Sequence, residues 1–186
     1  MSNMGASMRL ILIALSLSLL TACTGASPGG SDTEGPRIRV TLLNGHARPS
    51  FDTAETPADG TDHCGKVPNF PGTPARVAVA LSDAGGVDRL SVRALPGEIV
   101  DSSVVAAPDW TVANSVDGGT DVALVTFRRP DSDRVLTHAL VVFNVTSSSE
   151  GTGLVVEAHD IANNRTTLYQ VDIHPVGSSF VCRGDS

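Results

Sequence analysis

Lysine is almost missing from this chain, aromatic rings are few, and methionine stops after residue 8. Lys66 stands alone beside the arginines, and 13 basic residues face 20 acidic ones for a formal charge of −7. Phosphate binding needs clustered Lys and Arg, so nucleic acid is excluded as an expected partner. No run of basic residues offers a patch for anionic lipid either. One Trp, one Tyr and five Phe leave little material for a sugar-binding face of stacked rings, and Trp110 is expected in the core. The hydrolase signatures are missing too: no Gly-x-Ser-x-Gly elbow, no His-Glu-x-x-His and no phosphate-cradling glycine loop. A Ser–His–Asp triad assembled across strands would leave no such motif, so a hydrolase acting on envelope polymer stays open as an alternative.

Long apolar runs are also scarce. Leu10–Leu20 is an apolar stretch of 11 residues behind Arg9, against the roughly 20 needed to span a bilayer. It reads as the hydrophobic region of an export signal. At its end Leu20-Thr21-Ala22-Cys23 resembles the lipobox of bacterial lipoproteins. That resemblance implies cleavage of residues 1–22 as a signal peptide, acylation of Cys23 as the new N-terminus, and a membrane partner reached through the lipid. Thr24, not Asp, follows the cysteine, which implies the outer membrane in a Gram-negative cell and otherwise the outer face of the plasma membrane. The alternative is an ordinary secretory signal cleaved near Ala22, with Cys23 left as a thiol. Gly25–Gly35 is rich in Gly, Ser, Pro and Thr and cannot bury enough apolar surface to order itself. Residues 23–36 are therefore expected as a flexible tether, with an r.m.s. span on the order of 20 Å.

From Arg37 the hydrophobic period is two. Ile38, Val40 and Leu42 alternate with polar neighbours, as do Val77, Val79 and Leu81, then Leu90, Val92 and Ala94. Further strands are predicted within Glu98–Val105, Trp110–Val116, Asp121–Phe127, Arg134–Val145, Leu154–His159 and Arg165–His174. No amphipathic pattern of ten or more residues marks a helix. Turn residues punctuate the strands at Asp83–Gly86, Pro96-Gly97, Asp117–Gly119, Arg129–Asp131 and Ile161–Asn164. The pattern predicts an all-β antiparallel sandwich over 37–176, followed by a C-terminal tail, 177–186.

Two stretches carry a family resemblance. Val77–Val92, with its Ser82–Val87 turn, resembles the second and third strands of bacterial immunoglobulin-like domains. Val156–Thr166 is similar to their final hairpin, with Asn163 in the position usually held by glycine. Asn tolerates the left-handed conformation such a turn needs. The resemblance implies a single Ig-like sandwich, a fold that hosts adhesion, spacing and ligand binding alike.

Counting strand reversals orients that sandwich. The turns at Asp83–Gly86, Asp131–Asp133 and Asp160–Asn164 share one pole, where the tether also attaches. The long segment Asn44–Pro74 and the chain end belong to the other, membrane-distal pole. Cys64 and Cys182 form an even pair there once Cys23 is acylated, and a disulfide between them is expected. Two free thiols are the alternative. The proximal pole gathers Asp83, Asp88, Asp131, Asp133 and Asp160. Converging carboxylates can hold calcium, with Asp83, Asp131 and Asp160 as ligands, although turn aspartates more commonly hydrogen-bond their own backbone. Five histidines (His46, His63, His138, His159, His174) show no ligand spacing, and His63 beside Cys64 is weak evidence for a metal or nucleophile site. Arg183-Gly184-Asp185-Ser186 resembles the integrin-binding tripeptide context of matrix proteins, though three residues are a weak pattern. The expectation is a non-catalytic, lipid-anchored envelope protein with no cofactor and a protein or envelope-polymer ligand at its distal pole. A calcium-stiffened adhesion module is the further alternative.

Overall fold

The computed structural model describes residues 32–46, 50–53, 63–107, 109–116, 123–130, 135–180 and 182. They form eleven strands and no helix: β1 (Arg37–Leu42), β2 (Ser50–Asp52), β3 (His63–Val67), β4 (Ala75–Ser82), β5 (Val87–Leu95), β6 (Glu98–Ala106), β7 (Thr111–Val116), β8 (Ala123–Arg128), β9 (His138–Thr146), β10 (Thr152–Asp160) and β11 (Arg165–Pro175). A five-stranded sheet runs β2-β1-β4-β9-β6, and a six-stranded sheet runs β3-β11-β10-β5-β8-β7. The described residues thus form an all-β sandwich of two sheets.

The alternation seen in the sequence is what closes the two sheets on each other. In β4, Ala75, Val77, Val79 and Leu81 are buried while Arg76, Ala78, Ala80 and Ser82 face outward. The facing sheet contributes Leu90, Val92 and Ala94 from β5 and Leu154, Val156 and Ala158 from β10. Phe127 and Phe143 are fully buried, one in each sheet. A side chain of that kind contributes about 1.5–3 kcal/mol on burial. Trp110 is 6% exposed and belongs to this core, as expected.

Two elements depart from the sequence reading. Asn44–Pro74, expected as one long distal segment, contains β2 and β3. β2 pairs antiparallel with β1, and β3 pairs parallel with β11, His63 to Val171 through Val67 to Pro175. The sandwich is therefore not wholly antiparallel, and the segment runs back along both sheet edges. Residues 32–36, within the stretch expected as tether, lie against the last hairpin: the Asn164 side-chain amide donates to the Asp32 carbonyl at 2.8 Å, and a Cβ at Gly35 would meet Thr166 Oγ1 at 2.6 Å.

The register gives the sandwich its two poles. Arg37 pairs with Ser82, Ser82 with His138, Arg128 with Arg89 and Asp160 with Val87, so the 83–86 turn, the end of β8, the start of β9 and the 161–164 turn share one end. Glu98 pairs with Thr146, and Thr152 with Ile173, at the other end. In the 161–164 turn Asn163 takes φ 67°, the left-handed conformation its place demands.

Candidate functional site

The acidic turns come together at the tether pole, with a change of membership. Asp83 Oδ1 accepts the backbone N–H groups of Gly85 and Gly86 at 2.7 and 2.9 Å. Asp160, 1% exposed, accepts the Asn164 backbone N–H at 2.6 Å and its side-chain amide at 2.7 Å. Asp32 joins them, and one carboxylate oxygen from each of the three lies within 4.8 Å of the others. Asp131 and Asp133 lie outside the described residues. Asp88 is engaged elsewhere, accepting from Arg129 Nε at 3.0 Å. Burial pushes the Asp83 carboxyl above its ordinary value, and the charges of Asp32 and Asp160 push the same way. The two glycine N–H groups hold it back. Three hard oxygen donors at this spacing are what a calcium ion takes, with carbonyls or water completing its shell of six to eight.

At the opposite pole Cys64 and Cys182 are joined in a disulfide, with Cα atoms 5.3 Å apart and a sequence separation of 118. Cys64 sits on β3 opposite Asp172 of β11, so the bridge ties the parallel edge strand to the chain end. The thiol is thus committed, and His63 lies edge-on against Phe51, with ring centroids 5.4 Å apart. His174 stacks on Phe180 at 3.9 Å. His159 Nε2 meets Glu157 Oε1 at 2.9 Å, and His138 Nδ1 meets Thr137 Oγ1 at 3.0 Å. Among the described hydrogen bonds no histidine joins a serine hydroxyl to a carboxylate. Among the described residues the grouped metal-type ligands are Asp32, Asp83 and Asp160, with no histidine among them. Cys23 and Arg183–Ser186 lie outside the described residues.

A third feature was not anticipated. On the outer face of the five-stranded sheet a groove of about 250 Å³ is lined by Arg37, Arg39, Asp52, Ala80, Leu81, Ser82 and His138. β1 points Ile38 and Val40 inward, which sends Arg37 and Arg39 outward on the same side. β2 places Asp52 directly opposite Arg39. Arg37 donates through Nε and Nη2 to the two oxygens of Asp52, both at 2.8 Å. Arg39 donates from Nε to Asp52 Oδ2 at 2.9 Å, and its Nη2 lies 2.8 Å from the same oxygen in an ion pair. Asp52 is 3% exposed, and these charge-assisted bonds are what offset its burial. The signal in the sequence was two arginines at i and i+2 between apolar neighbours. Asp52, in a strand of three residues, was not readable as their partner.

No family model matches this chain, and no curated protein matches it. Among solved structures it is similar to a non-cellulosomal cohesin from the hyperthermophilic archaeon Archaeoglobus fulgidus, with 15% identity and a TM-score of 0.38. That alignment covers 63% of this chain and 87% of that one.

Proposed function

We propose that this chain is an exported, lipid-anchored envelope protein whose Ig-like sandwich binds a partner. The lipobox Leu20–Cys23 supports the address, and the apolar run of 11 residues before it supports export over a spanning anchor. The observation that carries the binding half is the groove on the outer sheet face. A sandwich closed by apolar side chains keeps its polar chemistry on the surface, and here the described surface holds a shaped, charged recess. The groove lies at the β1 start and the β4 end, toward the pole of the 83–86 turn, and is a binding surface separate from the distal pole where a ligand was expected.

The anchor is tested by expressing the full chain with its own leader in a bacterial host and partitioning the membranes with a clouding detergent. The wild-type chain is expected in the detergent phase and Cys23→Ser in the aqueous phase. Recovery of both in the aqueous phase would overturn the anchor. The hydrolase alternative would return on turnover of envelope polymer that is lost when a single polar cluster is mutated.

A second reading is favoured by the convergence of Asp32, Asp83 and Asp160. Calcium held there would fasten the start of the domain to its final hairpin and stiffen the module at the point where the tether enters.

A further inference from the structure

We propose that the groove of the five-stranded sheet takes a free carboxylate, presented by a short peptide end or a uronic acid, with Arg39 as its anchor. This rests on the reading of the sandwich as a binding module and names the chemistry of what it binds.

The recess follows from strand order. β4 lies between β1 and β9, and its outward residues Ala78, Ala80 and Ser82 are small. The register sets Arg37, Ser82 and His138 in one row across the three strands, and Arg39, Ala80 and Leu140 in the next. Strands pair about 4.8 Å apart, so tall side chains flank a low floor across a width of about 10 Å. The volume of about 250 Å³ suits a terminal group and not a long chain.

Its polar atoms select the ligand's charge. The protein as a whole is acidic, yet the described lining of the groove brings Arg37, Arg39 and His138 beside Asp52. Asp52 holds the Arg39 guanidinium by a hydrogen bond from Nε and an ion-pair contact at Nη2, while Arg39 Nη1 makes no hydrogen bond among the described residues. A guanidinium held in plane is pre-organised for a planar, bidentate carboxylate. His138 uses Nδ1 on Thr137, which leaves Nε2 for a ligand. The Ser82 hydroxyl lines the floor as a further donor.

The test uses the full chain purified in non-ionic detergent and followed by NMR at the Arg39 Nε–H and the His138 ring. N-acetylglycine and glucuronic acid are titrated separately, beside N-acetylglycinamide and inorganic phosphate. Saturable shifts are expected with at least one acid, and the acid that saturates lower identifies the source. Binding of the amide should be at least tenfold weaker. Ala80→Leu fills the floor without touching the charged cluster and is expected to abolish the shifts at unchanged melting temperature. Arg39→Gln, read at the His138 ring alone, should abolish the shift there as well. No saturable shift with either acid, equal response to the amide or to phosphate, or full binding by Ala80→Leu would each overturn the proposal. A chain that still partitions into detergent but fails here keeps its anchor and loses only this ligand.

Discussion

Asp83 is pulled in two directions by its surroundings. Its side chain closes the turn by accepting from Gly85 and Gly86, while burial and the neighbouring Asp32 and Asp160 disfavour its charge. The folded carboxyl therefore holds its proton more tightly than the unfolded one, whose ordinary value is 3.8. Stability attributable to this group is greatest below 3.8, falls as pH rises through the raised folded value, and stays lower above it. Asp83→Asn keeps the acceptor oxygen and removes the charge. In calcium-free buffer its melting temperature should exceed that of the wild type at neutral pH and match it in strong acid. Added calcium should reverse the order by stabilising only the wild type. A wild-type melting temperature indifferent to calcium would eliminate the calcium reading.

At the scale of elements, the nine longer strands fall where strands were expected, and the alternation is clearest in β1, β4 and β9, each of which buries one face against the opposite sheet. The acidic convergence was half legible: turn parity put Asp83 and Asp160 at one pole, but Asp32 lies in a segment whose composition reads as tether. β2 and β3 were not legible, for separate reasons. β2 has three residues, too few to display a period. β3 buries Cys64 and Gly65 in succession, so it shows no alternation, and its hold on β11 is completed by a disulfide from the far end of the chain. β2 depends instead on Asp52 and its two arginines. Asp52→Asn removes the charge that both guanidiniums address, and should cost about 1.5–3 kcal/mol, the range for hydrogen bonds to charged groups. Denaturant melts should show that loss, and amide exchange should quicken at residues 50–53 while β4 and β9 stay protected. Uniform loss of protection across both sheets would contradict an edge-local role.

For the whole molecule, the sequence orders the chemistry by pole. The end with the 83–86 and 161–164 turns holds three carboxylates and the near end of the charged groove, and the other end is closed by Cys64–Cys182. A bridge across 118 residues is worth about 5 kcal/mol in the chain-entropy treatment, and such a contribution survives only where thiols stay oxidised. Lipid attachment at Cys23 and oxidation of the other two cysteines are thus two consequences of one proposal, that the chain is an exported lipoprotein. Mass spectrometry of the full-length gene product, extracted from bacterial membranes and digested without reduction, reads both at once. The account expects an N-terminal peptide beginning at diacylglyceryl-modified Cys23 and a cross-linked peptide pair joining Cys64 to Cys182. An N-terminus at Met1 with three free thiols would contradict it.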